Sequence, residues 1–109
     1  MSEIFDKALE GVKKYDSNPD EALLQKMAKT YAVVMRNRDA SGVACSDKAE
    51  KETVRKNFLK KKLGLTMSDA DLDAAVDEVC QTMSADRFKS RLVMYYLLTK
   101  KFGKESVFI

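Results

Sequence analysis

The chain contains an uninterrupted run of seven apolar residues at positions 92–98, with the sequence LVMYYLL. On an α-helix, seven consecutive residues point in every direction around the axis, so the rest of the protein has to enclose this segment. A buried β-strand is the competing interpretation, but only Val93 is β-branched and charged helix-forming residues flank the run. The run is far shorter than the about 20 residues that cross a bilayer. It therefore predicts a central helix in an all-α protein.

Four further segments carry apolar residues at helical spacing. The expected helices run from Glu3 to Tyr15, from a start signal at Asn18 and Pro19 to near Arg38, from Ser46 or Asp47 to Gly64, and from Thr66 or Ser68 to the turn at residues 84–86. The fifth, central helix follows that turn, carries Phe88 on the same face as Leu92, and ends at Gly103. The prediction is a compact bundle of about five helices in a single domain covering residues 1–109, with two helix-loop-helix pairs as one arrangement.

Charge is distributed unevenly along the chain, although the net charge is only +3. Residues 47–62 carry a net charge of +4, residues 66–80 of −5, and residues 86–104 of +5. One interpretation is that the acidic segment neutralises the two basic segments when they fold together. The other is that the basic segments form an exposed face for nucleic acid or another acidic partner. A net charge of +3 is small for a dedicated nucleic-acid-binding domain, which favours the first interpretation.

Three consecutive lysines, Lys60, Lys61 and Lys62, lie in the last turn predicted for the third helix, NFLKKKLGL. On an α-helical wheel Lys62 falls between the apolar residues of this turn, so the turn has no continuous apolar face of its own. The helix dipole stabilises cations at a helix C-terminus by about 0.3–1 kcal/mol each, and Gly64 is suited to close the helix. Helix termination thus accounts for the lysines. Anion binding is the alternative, because three adjacent cations are more than a helix end requires.

The sequence contains no histidine, which removes the commonest general base and the commonest metal ligand. It also lacks a dinucleotide-binding or Walker-type phosphate loop. The aspartate-rich stretch that begins at Asp69 starts like a calcium loop, but Ala74 and Cys80 stand where that loop needs glycine and glutamate. We therefore expect no metal, no cofactor and no catalytic residue. An enzyme that uses carboxylates or Cys45 is the least favoured hypothesis.

Cys45 and Cys80 are the two cysteines, and they form no Cys-x-x-Cys motif. The N-terminal sequence lacks the basic and apolar regions of a secretory signal, so the expected compartment is the cytoplasm, where thiols stay reduced. On that basis we do not expect a disulfide between them. Cys80 lies on the apolar stripe of the fourth helix. Cys45 precedes a helix start, where a reactive thiol is the alternative to a packed loop residue.

The C-terminal residues 106–109, SVFI, are mostly apolar. We expect them to fold back onto the helices. The alternative is that they pair with a second subunit or bind in a peptide groove of a partner.

Five stretches together resemble a small family of uncharacterised bacterial proteins, described as a domain of unknown function: FDKALEGVKKY, RDAS…CSD, VRKNFLKKKLGL, DLDAAVDEVC and KSRLVMYYLLTKKFGK. The resemblance covers nearly the whole chain, and the blocks NFLKKKLGL and YYLL…KFGK are its most specific parts. It implies an all-helical single domain in a bacterial cytoplasm, with helix-loop-helix units similar in outline to paired calcium-binding hands. It implies no activity and no catalytic residue.

These observations favour a small non-catalytic protein-interaction module without a membrane partner. Homodimerisation is the simplest partner hypothesis, through apolar surface of the fifth helix that four short helices leave uncovered. The alternative is binding of nucleic acid or another polyanion through basic clusters at residues 55–62 and 87–104. The candidate polyanion-binding residues are Lys60, Lys61, Lys62, Arg87, Lys89 and Arg91.

Overall fold

The computed structural model describes residues 3–108, which contain no β-strand. Their α-helices are α1 (Glu3–Lys13), α2 (Glu21–Thr30), α3 (Ala32–Arg36), α4 (Lys48–Thr53), α5 (Asp69–Thr82) and α6 (Arg91–Phe102). A π-helix (Val54–Lys62) continues α4, and a 3-10 helix (Glu105–Phe108) follows α6. The prediction of an all-α protein is confirmed, and the described helices pack around one hydrophobic core. The predicted domain of residues 1–109 extends beyond the described range at both ends.

Helix α6 occupies the centre of the fold, as its apolar run predicts. Its buried residues are Arg91, Leu92, Val93, Met94, Tyr95, Tyr96, Leu98 and Thr99. Ser90 begins the helix by accepting a hydrogen bond from the Val93 N–H at 3.4 Å. Gly103 ends it in the left-handed conformation, with a φ of 63°. Because α1, α2 and α5 all contact α6, the chain itself covers a helix that is apolar in every direction.

Two helix-loop-helix pairs meet through their loops. The first pair joins α2 and α3 to α4 through residues 37–47, and the second joins α5 to α6 through residues 83–90. An isolated antiparallel bridge links Gly42 to Ser90. Beside it, the Val43 N–H donates to the Lys89 carbonyl at 2.9 Å. The arrangement of two helix-loop-helix pairs is thus confirmed, and the bridge fixes one loop against the other.

The third predicted helix changes its geometry at Val54, where α4 passes into the π-helix. The Leu63 N–H donates to the Phe58 carbonyl, five residues earlier, at 2.9 Å. The apolar residues of this segment are Val54, Phe58, Leu59 and Leu63, and all four are buried. On an α-helix they would spread over about 180°, whereas the wider turn of a π-helix brings positions four and five apart onto one side. The expectation that this turn has no apolar face was therefore wrong, because it assumed α-helical geometry. Gly64 closes the segment with a φ of 68°, as expected.

The second predicted helix starts later than expected and is interrupted. Its N-cap is Asp20 rather than Asn18, because the Asp20 side chain accepts from the Leu23 N–H at 3.0 Å. The Asp20 N–H in turn donates to the Tyr96 hydroxyl at 2.8 Å, which fixes the cap to the core. The interruption lies at Tyr31, where φ is −106°. The ring of Tyr31 lies near three other aromatic rings, so core packing overrides the helical periodicity there.

Helix α6 begins three residues after Phe88, which was expected on its face. Phe88 instead lies in the preceding segment, with 59% of its surface exposed. The Arg91 N–H donates to the Ser41 carbonyl at 2.8 Å, and this contact between the loops fixes the start of the helix. Helix α1 also ends earlier than expected, at Lys13 rather than Tyr15.

The C-terminal segment folds back onto the helices, as expected for its described part. The Phe108 side chain is buried, and its ring centroid lies 6.2 Å from that of Tyr31. Ile109, the last residue of this prediction, lies outside the described range.

Cys45 and Cys80 form a disulfide that joins the first loop to α5. The expectation of two reduced cysteines was therefore wrong, and the Cys45 thiol is not free to react as predicted in the alternative. The Cα atoms lie 6.0 Å apart, a separation that a disulfide spans without backbone movement. No local sequence signal predicts this contact, because it depends on where the loop packs and the cysteines are 35 residues apart.

Candidate functional site

The acidic helix α5 lies against the basic segments and pairs with them. The pairs are Lys51 with Asp77 at 2.8 Å, Arg55 with Asp73 at 2.9 Å, Lys101 with Glu78 at 2.8 Å, and Lys60 with Asp69. These ion pairs connect α5 to α4, to the π-helix and to the end of α6. Mutual neutralisation, the first interpretation of the charge pattern, is thus what the fold shows for these residues. Each exposed pair contributes only about 0–1 kcal/mol to the stability of the fold. Its main consequence is that these charges already have partners within the chain.

The three consecutive lysines have three different environments. Lys60 pairs with Asp69, and this hydrogen bond lowers the pKa of the Asp69 carboxyl. Lys62 places its Nζ 5.1 Å from the centroid of the Phe108 ring, a cation–π contact. Lys61 is exposed and has no partner among the described residues. The sequence pattern KKK therefore does not correspond to one cluster of unpaired cations.

Arg91 is a buried structural cation. Its side chain is 8% exposed, and one terminal nitrogen donates to Glu50 Oε1 at 2.5 Å. The guanidinium also donates to the carbonyls of Ala40 and Gly42, at 2.5 and 3.3 Å, and to the Tyr95 hydroxyl at 3.0 Å. Loop carbonyls and a glutamate are the ligand types of a calcium loop. Here they surround a guanidinium, which holds the first loop against α6.

The other two candidate cations lie in the second loop. Lys89 donates from Nζ to the Asp86 carbonyl at 2.8 Å. Arg87 is exposed and has no partner among the described residues. Of the six residues predicted for polyanion binding, Lys61 and Arg87 alone lack an internal contact within residues 3–108. Polyanion binding by this set stays a prediction.

A different feature is a concavity beside α1. It is an open groove with a volume of about 930 Å³, bounded by α1 and by residues 35–41 and 83–93, and we call it the α1 groove. Its floor includes Ala8, Met83 and Val93, which are buried. Phe88 stands at its rim with most of its ring surface exposed. The α1 groove thus combines an apolar floor with an aromatic side chain that the fold leaves largely uncovered.

Two glycines determine the shape of this region. A Cβ atom added at Gly11 would lie 2.9 Å from Val93 Cγ2, so α1 approaches α6 closely beneath the groove. A Cβ atom added at Gly42 would lie 2.6 Å from Cε1 of Phe88. The Phe88 ring therefore rests against the backbone of the first loop on one side. This contact positions the ring, while its other side remains accessible.

A paired cluster of Asp86, Lys14 and Tyr15 lies at the edge of the α1 groove, which Asp86 and Lys14 line. Asp86 accepts a hydrogen bond from the Tyr15 hydroxyl at 2.5 Å and pairs with Lys14 Nζ at 3.1 Å. Burial, followed by the contact with Asp86, raises the pKa of Tyr15 to about 12. The Tyr15 hydrogen bond lowers the pKa of Asp86. Tyr15 therefore stays protonated and Asp86 ionised at neutral pH, and together they tie the end of α1 to the second loop.

The wall of the α1 groove that is formed by residues 35–41, across from α1, carries two arginines. Arg36, the last residue of α3, and Arg38 both line the groove. Both are exposed, and neither guanidinium has a partner among the described residues. Arg36 also lines a smaller adjoining cavity of about 270 Å³ between α1 and α2.

The sequence-based prediction missed this site for identifiable reasons. Phe88 was placed on a helix face because it precedes Leu92 by four residues. Ser90, a residue type that favours N-caps, was the signal that the helix starts after Phe88. The arginines at 36 and 38 lie in a segment of balanced charge, and no sequence signal distinguishes them from other surface cations.

The described residues also lack the features of a metal site and of a membrane-crossing helix. The described residues contain no group of three or more acidic or cysteine side chains placed to hold a metal ion. Within the same range, no helix combines the length and apolar character that a membrane crossing requires.

Comparison with known proteins identifies one family. A search of curated proteins finds no match to the chain. The family described as "Protein of unknown function (DUF2853)" matches residues 7–106, which include all of α2 to α6, both loops and most of α1. The match thus covers both walls of the α1 groove except the first residues of α1. The chain belongs to this family of unknown function.

Proposed function

We propose that the protein is a non-catalytic interaction module that binds a segment of a partner protein in the α1 groove. The observation that carries this proposal is the exposed Phe88 ring above the apolar floor of the groove. Aromatic residues beside pockets are typical anchors of protein interfaces. Covering the exposed part of this ring would contribute on the order of 2–3 kcal/mol to binding.

The groove differs from the surface expected of a polyanion-binding site. Its floor is apolar, and its rim includes Glu10 and Asp86 as well as cations. A nucleic-acid interface typically presents a continuous basic face instead. A groove of this kind is suited to a short amphipathic segment, whose apolar residues enter the groove while its polar residues face water.

Selection of peptide binders from a random display library tests this proposal. Binders should lose most of their affinity, measured by fluorescence polarisation, for the variants Phe88→Ala and Phe88→Glu. They should keep it for Met67→Ala, a matched control, because Met67 is 41% exposed and lines neither cavity. Binders that are indifferent to Phe88, or a library that yields none above a helical control domain, would contradict the proposal. Circular dichroism of each variant establishes that it is folded.

Homodimerisation stays a prediction, but its proposed surface changes. The expected surplus apolar surface of α6 is covered within the chain, with Leu97 and Phe102 half-buried. A homodimer would therefore use the α1 groove rather than α6. Sedimentation equilibrium of the wild type and Phe88→Glu tests this, because a dimer through the groove should dissociate in the variant.

Polyanion binding remains the alternative function. Lys61 and Arg87 support it, as exposed cations without partners among the described residues. It predicts binding of a nucleic acid that weakens steeply with salt and is lost in a Lys61→Ala, Arg87→Ala double variant. An absence of salt-sensitive binding at low ionic strength would remove this alternative.

A cytoplasmic location is likewise a proposal, and the disulfide bears on it. Disulfides persist mainly in oxidising compartments, so the bond between Cys45 and Cys80 argues against a permanently reduced environment. Alkylation of thiols at the moment of lysis of the native host, followed by mass spectrometry, measures the state of both cysteines. Two alkylated thiols would support the reduced cytoplasm, and an unmodified protein would support an oxidising compartment.

A further inference from the structure

Some of the charged residues around the α1 groove form ion pairs within the chain, and others do not. Lys7 pairs with Glu3 at 3.5 Å, within α1. Lys14 pairs with Asp86 at 3.1 Å, between α1 and the second loop. These contacts neutralise two cations and two anions of the rim. Arg36, Arg38 and Glu10 remain without partners among the described residues, so the unpaired charge on the wall opposite α1 is positive.

Arg36 lies where the α1 groove and the adjoining cavity meet. It lines both the α1 groove and the adjoining cavity, and Ile4 lines both as well. The two concavities therefore meet beside these two side chains, one cationic and one apolar. A ligand that extends from one concavity into the other passes the Arg36 guanidinium.

We propose that the α1 groove recognises an acidic amphipathic segment of a partner protein, an inference that rests on the function proposed above. Carboxylates of this segment pair with Arg36 and Arg38, while an apolar side chain packs against Phe88. A guanidinium presents a planar fork of donors that matches a carboxylate in a bidentate geometry. No carboxylate within the described residues occupies either fork, so binding does not have to break an internal ion pair.

A second copy of this chain fits the site less well. Its most acidic element is α5, and four of the five α5 carboxylates, those of Asp69, Asp73, Asp77 and Glu78, already pair with cations of the same chain. Offering them to the groove of another copy would break those pairs. The proposed partner is therefore a different protein, and a second copy of the chain is an alternative that the experiment distinguishes.

Matched peptides test this inference. From the peptide selection above, an acidic binder is synthesised together with a counterpart in which every Asp and Glu is replaced by Asn and Gln. The acidic peptide should bind the wild type roughly tenfold or more tightly than its amide counterpart. The difference should shrink at high salt. Equal affinity of the two peptides would overturn the inference.

Reversing the charge of each arginine in the groove is the second part of the test. Arg36→Glu and Arg38→Glu should weaken the acidic peptide roughly tenfold each, whereas the amide counterpart should bind these variants about as well as the wild type. Lys26→Glu is the matched control, because it makes the same change of charge at an exposed residue of α2 that lines neither cavity. Unchanged binding of the acidic peptide by both arginine variants would contradict the inference. Arg36→Gln and Arg38→Gln, with thermal unfolding as a check, replace any reversal that prevents folding.

The two proposals fail in different ways. If peptides require Phe88 but bind without regard to charge, the groove is an interaction site and the inference about its partner is wrong. If no peptide depends on Phe88, the proposed function itself is wrong. A second copy of the chain would reveal itself as concentration-dependent dimerisation that the acidic peptide competes away, and this outcome would also overturn the inference.

Discussion

The two flanks of α6 differ in how completely the chain closes them. On the flank formed by α5 and the π-helix, which we call the closed flank, apolar side chains are buried, most ionised groups are paired and a disulfide joins α5 to the first loop. On the other flank, the α1 groove stays open, with Phe88 exposed and Arg36 and Arg38 without described partners. The buried apolar side chains and paired charges of the closed flank are what stabilises the fold there. The contrast is the reason for assigning a binding role to the α1 groove.

The closed flank is held by aromatic packing as well as by charge. The ring of Phe58, from the π-helix, stacks on that of Tyr95 with a centroid distance of 3.8 Å. Tyr31 meets both rings at their edges, 6.2 and 5.2 Å away. No comparable aromatic cluster surrounds Phe88 among the described contacts. Phe58 packs against two rings of this cluster, those of Tyr31 and Tyr95.

Phe58→Ala should produce the largest loss of stability. Phe58 is fully buried, and truncating a buried phenylalanine typically costs about 3–5 kcal/mol. The π-helical turn that carries it has no α-helical alternative that buries the same four apolar residues. Chemical denaturation monitored by circular dichroism measures the effect. A loss below about 1 kcal/mol would mean that the closed flank is not packed as described.

Loss of the disulfide should have the next largest effect. The bond closes a loop across a sequence separation of 35 residues, for which chain entropy predicts about 3–4 kcal/mol. A Cys45→Ala, Cys80→Ala variant should therefore unfold at a lower denaturant concentration than the oxidised wild type. A reductant should destabilise the wild type to a similar extent and leave the variant unchanged. Equal stability of the oxidised and reduced wild type would contradict the prediction.

Arg91→Leu should cost about 2–3 kcal/mol, because it leaves the partly buried Glu50 carboxylate and two loop carbonyls without their donor. The first loop should loosen as a result. Hydrogen exchange of the Val43 amide, which bridges to the second loop, measures this change. Arg91→Lys is the matched control, because it keeps the positive charge but not the planar guanidinium. Its stability and its exchange rate at Val43 should lie between those of the wild type and those of Arg91→Leu. A wild-type exchange rate at Val43 in the leucine variant would show that Arg91 does not hold the loop.

Asp86→Asn should lower the stability by about 1 kcal/mol at neutral pH, because Asp86 is a charged acceptor for Tyr15. The pKa of Asp86 is lowered in the folded protein, so its stabilising contribution is fully present above its unfolded pKa of about 3.9. The contribution is lost as the pH falls through the lower folded pKa. The difference in unfolding free energy between wild type and variant should therefore shrink below about pH 4. A difference that stays constant from pH 7 to pH 3 would exclude this linkage.

Phe88→Ala should have the smallest effect on stability, about 0.5 kcal/mol or less, because most of the ring is exposed. Its effect on peptide binding should be large, as described above. Denaturation curves of this variant and of Phe58→Ala, recorded side by side, give the most compact comparison of the two flanks. A large destabilisation by Phe88→Ala would assign the ring a structural role and weaken its use as an anchor.

Much of the fold follows from local signals in the sequence. The apolar run from Leu92 predicts a central helix because no other element can bury every side of it. Gly64 and Gly103 end their segments because each takes a left-handed conformation that other residues adopt at a cost. Ser68 and Asp47 cap α5 and α4 as expected, since their side chains accept from first-turn amides.

The remaining features depend on contacts between distant segments. The π-helix has a spacing of apolar residues that an α-helical wheel disperses, so the assumption of α-helical geometry hid the buried face. Cys45 meets Cys80 because Arg91 and the bridge at Gly42 hold the first loop in place. The α1 groove likewise arises from packing between α1 and both loops. In the sequence, Phe88 cannot be distinguished from the apolar residues of the core. Its exposure depends on how the two loops pack.

Mapping a bound peptide by NMR tests most directly whether the open flank is the binding flank. Amide chemical shifts of the ¹⁵N-labelled protein are recorded during titration with a selected peptide. The account predicts that perturbations concentrate at Gly11, Arg36, Phe88 and their neighbours, and that the exposed face of α5 stays unchanged. Perturbations centred on α5 or on Lys61, with the groove unaffected, would contradict it.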